Sequence, residues 1–546
     1  MRYRILWLVI FIQVTGMVAA QPAMRVQYAQ EVFNKLVRTI NLSTPAKPQL
    51  NVVPGNDIIA ATDKNGQVLI GYGLIEHCRS FGKDSCNALA HILSHELTHY
   101  YSNHFWADNF GSAYADLNWG QLIANSGKTY SVIKLYETQA DEYGMYYAFA
   151  AGYKTLQVGE RVLDSVYTWY HLSEQLPGYP SLNERKSIAD AAKQNIAQLI
   201  PAFETGNLLL TLAQVQSGLQ QSMLAQLAGF YYDEILAHKI QTKEIYNNAG
   251  LSRLVGLMPY FADSINQIRF PFMLETKSML YNTEGRRGTQ NENDSIITEM
   301  VYNGLAEAEE LFNSAKRADK GFFPAYINLA IVYFLEGKYG SAEDELTAAS
   351  KLNAGFQWTI SEMNAIIAVF RGNPAAAAIF DKAQERGSTS AIYNKHLLIP
   401  DTRLGNEMIS FNTRYSTDTT ETIGQGSVFE TMDKLVPNKS NRYDLISERS
   451  TLYTDTTANY NIYYIRPLQK PSLNKVRFMV LRDDAEGATS KNLHRGASIG
   501  ELQHIYGKPD LIILESDAAI WSYPDKNLLV WVAGEKVQKW GYWWVK

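Results

Sequence analysis

The run His91-Ile92-Leu93-Ser94-His95-Glu96-Leu97-Thr98-His99 contains His-Glu-x-x-His. Residues four apart on an α-helix lie one above the other, so His95 and His99 can offer two imidazoles to one metal ion while Glu96 reaches the adjacent open position. Leu89, Ile92, Leu93 and Leu97 supply an apolar stripe and no proline interrupts residues 87–105, which predicts a buried helix with Asp84-Ser85 as its cap. His91 falls on the same face. Eight residues of helix rise about 12 Å, however, whereas donors around one zinc lie only a few ångströms apart, so His91 is read as structural.

A second acidic pair stands downstream. Glu137-Thr138-Gln139-Ala140-Asp141 lies in another helical run, from about 132 to 150, with Glu137 and Asp141 one turn apart. Glu137 is the expected third ligand. Two imidazoles and one carboxylate around zinc leave the fourth position for water, the catalytic pattern rather than the structural one. Asp141 is expected to orient a ligating histidine, and Ala140 is small enough to let the two helices approach.

His-Glu-x-x-His followed by Glu-x-x-Ala-Asp resembles the HtpX and CAAX-prenyl-protease class of gluzincin metallopeptidases. Asn51-Val52-Val53-Pro54-Gly55 leading to Val68-Leu69-Ile70-Gly71-Tyr72-Gly73-Leu74 is similar to the family segment that forms the substrate-side edge strand, and Ala151-Gly152-Tyr153 follows the acidic helix as in those enzymes. Tyr179-Pro180-Ser181-Leu182-Asn183-Glu184-Arg185 resembles a family segment that begins His-Pro and ends in arginine, with Tyr179 in the histidine position. A phenol can donate a hydrogen bond to an oxyanion but is a poor zinc ligand at neutral pH. The resemblance implies a zinc-dependent endopeptidase with Glu96 as catalytic base and Tyr179 as oxyanion donor. A polypeptide substrate would then add as a strand along residues 68–73.

Met1 to Ala20 carries Arg2 and Arg4, an apolar run and a small-residue end at Val18-Ala19-Ala20, the pattern of a secretory signal peptide. Localisation is therefore expected in the periplasm or outside the cell. No later stretch approaches 18 uninterrupted apolar residues, so no transmembrane segment is expected in the mature protein. In an oxidising compartment Cys78 and Cys86, the two cysteines of the chain, are expected to pair, the alternative being two buried thiols. A net charge of −5 supplies no field for nucleic acid.

Val26, Val32, Phe33, Leu36, Val37 and Ile40 recur at helical spacing and predict a helix over about 24–40. Beyond residue 198 the chain reads as helical. Glu244 to Leu251 resembles the opening helix of a tetratricopeptide (TPR) repeat; Tyr326, Leu329, Ala330, Tyr333, Ala342, Leu346 and Ala349 match that repeat's packing positions, with Gly337 in the turn. Ala308, Phe312 and Ala315 stand one period earlier, a degenerate pair ends near Gly387, and residues 282–295 read as an inserted loop. From about 400 the composition favours strands. Ser498 with Glu501 forms a capping box for a short helix ended by Gly507-Lys508-Pro509; Ile520–Tyr523, Leu528–Val532 and Lys539–Val545 alternate as strands. Trp540, Tyr542 and Trp544 would share one face, read as core against a peptide- or glycan-binding surface. This end weakly resembles small envelope domains of the SmpA/OmlA type.

The expected fold is mainly α: a signal peptide at 1–20, a zincin-like α+β metallopeptidase domain at 21–198, a TPR-like helical solenoid at 199–395 and a C-terminal α+β module at 396–546. The plan resembles periplasmic β-barrel-assembly-enhancing proteases, which implies envelope polypeptides as substrates and a protein partner for the repeats. Two rivals stand beside it: a periplasmic chaperone or scaffold with a vestigial or latent site, and a hydrolase of another amide, such as one in the cell wall.

Overall fold

The computed structural model describes residues 26–37, 40, 46–54, 60–102, 104, 130–151, 153–169, 174, 181–237, 242–276, 295–352, 356–399, 421–423, 426–437, 442–443, 449–468, 475–482, 485–516 and 518–545. The signal peptide read at 1–20, Tyr179, and residues 282–294 of the expected loop lie outside these residues. Contacts divide the chain into two units, with the division falling between Ala197 and Gln198. It falls inside the helix Leu182–Val215, which contains Pro201. Proline has no N–H to donate to the carbonyl four residues earlier, so the helical ladder is interrupted at Ala197.

In the first unit, helix α1 (26–37) buries Ala29, Val32, Phe33, Leu36 and Val37, as its periodicity requires, whereas Val26, at its first residue and expected on the same face, is exposed. Three strands follow: β1 (Gln49–Val53), β2 (Ala60–Thr62) and β3 (Gln67–Gly71), in the order β1-β3-β2, with β1 parallel and β2 antiparallel to β3. The edge strand expected at 68–73 is thus corrected. Residues 68–71 belong to the central strand, whose backbone is paired on both sides, and Tyr72 opens the helix α2 (Tyr72–Arg79). Val68 and Ile70 point inward and are fully buried, which a strand between two neighbours allows.

Helix α3 (Ser85–Tyr101) carries the histidine motif, α4 (Tyr130–Ala150) the acidic pair, and α5 (Thr155–Trp169) packs on α3; α6 is Leu182–Val215. Asp84 does not cap α3 with its side chain. Its carboxylate instead accepts from Arg161 at 2.7 Å and from Asn87. The expected bridge between Cys78 and Cys86 is also absent: both are free, Cys78 buried and Cys86 exposed. The thiols face different environments, and burial pushes that of Cys78 up to about 12.

In the second unit, α7 (Gly218–Ala237), α8 (Lys243–Leu257), α9 (Ser295–Ala318), α10 (Phe323–Leu335), α11 (Tyr339–Ser350), α12 (Trp358–Phe370), α13 (Ala376–Glu385) and α14 (Ala391–Leu398) each pack against the next. Ala308, Phe312, Ala315, Leu329, Ala330, Ala342, Leu346 and Ala349 are all buried, and Gly337 takes φ +74° in the turn between α10 and α11. Asparagines from three of these helices hold the extended segment 269–275. Asn394 binds both the N–H and the carbonyl of Arg269, Asn328 those of Met273, and Asn248 those of Glu275. Leu274 in turn donates to the carbonyl of Leu514.

Leu514 belongs to an antiparallel sheet in the same unit, which the sequence had separated at about 395. A two-stranded pair, β4 (Thr422–Ile423) and β5 (Gly426–Ser427), and helix α15 (Val428–Lys434) precede it. The sheet contains β6 (Arg442–Tyr443), β7 (Ser450–Thr456), β8 (Tyr460–Pro467), β9 (Val476–Leu481), β10 (Leu511–Leu514), β11 (Ala518–Tyr523), β12 (Leu528–Ala533) and β13 (Lys536–Val545), in the order β10-β11-β12-β13-β9-β8-β7-β6. Helix α16 (Ile499–Tyr506) begins in the reciprocal Ser498/Glu501 capping box and ends at Gly507, φ +81°. Trp540, Tyr542 and Trp544 are core residues on one face, and Trp543 is buried on the other. These side chains form no ligand surface. Among the described residues no helix is long and apolar enough to cross a membrane.

Candidate metal centre

Helix α3 brings His95 and His99 onto one face, and α4 packs against it with Glu137 and Asp141. The approach depends on a residue the sequence reading passed over. A Cβ on Gly144 would meet the backbone N and Cα of His95 at 2.8 and 2.9 Å, closer than real contacts allow, so only glycine permits α4 to lie this close. The fully buried Ala140 occupies the same helix one turn earlier.

The three donor groups then converge. His95 Nε2 and His99 Nε2 lie 3.1 Å apart, and each lies 3.5 Å from an oxygen of Glu137. Donors bound tetrahedrally at zinc–ligand distances of about 2.0 to 2.2 Å are separated by about 3.3 to 3.5 Å. The two imidazoles and the carboxylate, with one donor atom of each within 4.8 Å of the others, are thus grouped closely enough for small side-chain adjustments to place all three on one ion. His91 is not part of it; the imidazole is buried beside Gly159 of α5, and burial holds it down to about 4.

What surrounds the triangle fixes its orientation. His95 Nδ1 lies 2.8 Å from Asp141 Oδ1, and Asp141 accepts two hydrogen bonds from Arg185, Nε at 2.8 Å and Nη2 at 2.6 Å. Asp141 is buried, not on an exposed acidic face. Arg185 is set at the start of α6 by the reciprocal pair in which Ser181 N donates to Glu184 Oε2 and Glu184 N donates to Ser181 Oγ. His104, absent from the sequence reading, lies with Nδ1 2.9 Å from His99 Nδ1.

Glu96 is buried beside the triangle, and the Thr62 hydroxyl on β2 lies 3.0 Å from both its Oε2 and its backbone carbonyl. Burial raises the Glu96 carboxyl above the ordinary range, with the His95 charge and Thr62 pulling against it. Burial also opposes a charge on His95, yet the adjacent Asp141 and Glu137 carboxylates push it up to about 10. His99 is held down to about 3 by burial and by the charge of His95. Two buried carboxylates around two facing imidazole nitrogens make a place for positive charge.

Residues 23–192 match the model of Peptidase family M48. This region is a metallopeptidase domain. The match spans every residue of the centre described above, from Thr62 to Arg185, and makes the region a hydrolase acting on peptide bonds. No curated protein matches the chain. The metallopeptidase domain draws its centre from α3, α4, β2 and the start of α6. Of the residues singled out in the sequence, His95, His99, Glu137, Asp141 and Glu96 come together, whereas Cys78 and Cys86 belong to no site and Tyr179 lies outside the described residues. Thr62, His104 and Gly144 were missed, each contributed by an element whose placement no local pattern reveals, and Arg185, quoted as the end of a family-like segment, was given no role.

Proposed function

We propose that the chain is a zinc-dependent endopeptidase that cleaves extended or unfolded polypeptides, with His95, His99 and Glu137 holding the ion. The convergence of the two Nε2 atoms, 3.1 Å apart, with the Glu137 carboxylate, whose two oxygens each lie 3.5 Å from one of them, carries this reading. Zinc in such a site supplies Lewis acidity, polarising a carbonyl and lowering the pKa of water.

The chain's own residues do the rest. Glu96, held by Thr62, takes a proton from the attacking water and delivers it to the leaving amine; its raised pKa favours the protonated form needed for the second step. Asp141 with Arg185 fixes the ring of His95. Tyr179 is proposed as an oxyanion donor on the strength of its position in the sequence. The substrate strand is assigned to β2, the described sheet edge that reaches the base through Thr62, so recognition would read backbone more than side chains.

The leader pattern at 1–20 supports a periplasmic or extracellular location, with envelope polypeptides as substrates in quality control. The α8–α14 region, proposed as TPR-like, would serve a protein partner by a surface other than its asparagine-held segment.

The test is Glu96→Gln assayed on an unfolded protein such as casein. Zinc content should be unchanged and cleavage should fall by about 10²- to 10⁴-fold. Equal cleavage by the two proteins would remove Glu96 as the base.

A further inference from the structure

His104 sits where α3 has ended, and three contacts define its role. Its Nδ1 lies 2.9 Å from His99 Nδ1, its Nε2 lies 3.0 Å from Gln139 Oε1, and its ring stacks on Tyr136 with centroids 4.5 Å apart and planes at 8°. The side chain is buried.

The proton positions follow by elimination. An amide oxygen only accepts, so His104 Nε2 must carry the hydrogen that points at Gln139. A ring with its one hydrogen placed there has a bare Nδ1, which can only accept. His99 Nδ1 must therefore donate to it, and His99 Nε2 is left with its lone pair facing His95 Nε2 and Glu137. We propose that His104 is a positioning residue that, with Gln139, fixes the tautomer of His99 so that Nε2 is presented to a divalent cation. The inference rests on the zinc-binding reading of the centre.

This gives the two histidine ligands different supports. His95 is held by the charged pair Asp141–Arg185, whereas His99 meets the His104 imidazole, which in turn meets the Gln139 amide. Tyr136 and Gln139 flank Glu137 on α4. The helix that supplies the carboxylate ligand thus also supplies the floor and the anchor for His104.

The experiment measures zinc dissociation constants of the full-length protein by competition with a chromophoric chelator. His104→Phe keeps a flat ring against Tyr136 but removes the acceptor, and should weaken zinc about 10- to 100-fold. His104→Asn puts Oδ1 in place of Nδ1 and should recover affinity to within about threefold of wild type. Should the phenylalanine variant fail to fold, Gln139→Leu removes the anchor instead and should also weaken zinc. Unchanged affinity in His104→Phe or Gln139→Leu, or equal weakness in the phenylalanine and asparagine variants, would overturn the positioning role. A wild-type protein that takes up no zinc would instead overturn the reading of the centre itself.

Discussion

At the scale of single residues, the centre joins what is local in sequence to what is not. Four-residue spacing on a helix is a local constraint, so His95, His99, Glu137 and Asp141 were legible from the chain, as was the exclusion of His91. Thr62, His104 and Arg185 reach the same few ångströms from a strand, a helix end and a later helix; nothing in the neighbourhoods of the first two marks them, and the family-like segment that ends in Arg185 does not reveal its partner. Gly144 is of another kind: its signal is the side chain it lacks, which acquires meaning only when α3 lies 2.8 Å from where a Cβ would be. Asp141→Asn probes the orienting carboxylate. Zinc affinity should fall about 10- to 100-fold, measured by chelator competition. Stability of the zinc-free protein should fall by about 1 to 3 kcal/mol in denaturant unfolding, because Arg185, whose side chain is 15 % exposed, would lose its counter-charge. Unchanged affinity would mean that Asp141 serves the fold alone.

Among the elements, helices were legible from period and composition, and the capping box at Ser498 and the turn at Gly337 from their residue chemistry. Edges were not. A strand's neighbours are set by tertiary pairing, and β3, apolar and close to the motif, proved to be central rather than exposed. Likewise the asparagines at 248, 328 and 394 give no periodic signal, yet each holds both backbone groups of a residue in one extended segment. Next to the last of them lies a buried carboxylate, Glu362 on α12, which accepts from Ser388, Ser390 and Asn394. Burial outweighs those donors and pushes its pKa from 4.5 up to about 7. The folded state therefore binds the proton more tightly than the unfolded one, so this group's favourable contribution is complete below about pH 4.5 and is lost as pH rises towards 7. Glu362→Gln should accordingly stabilise the second unit at pH 7.5 by on the order of 3 kcal/mol and by nearly nothing at pH 4, measured by denaturant unfolding at both values. An equal effect at both pH values would assign the change to packing.

For the whole molecule, the chain is two units, one carrying the metallopeptidase centre and one in which helices α7–α14 and the sheet β6–β13 are held together by a shared strand-like segment. Order along the sequence foretold the peptidase region, the helical run and the strand-rich end. The joining of the last two was hidden, because it depends on Leu274 meeting Leu514, far apart in the sequence and with no local pattern to pair them. Every functional role assigned to the first unit depends on whether His95, His99 and Glu137 hold a metal together. Direct elemental analysis of protein purified without chelators tests that most plainly, with His99→Ala as its control. The expected result is one zinc per chain in the wild type and none in the variant, with both proteins folded. A folded wild-type protein that neither carries zinc nor takes it up, or a His99→Ala variant that keeps its full complement, would contradict it.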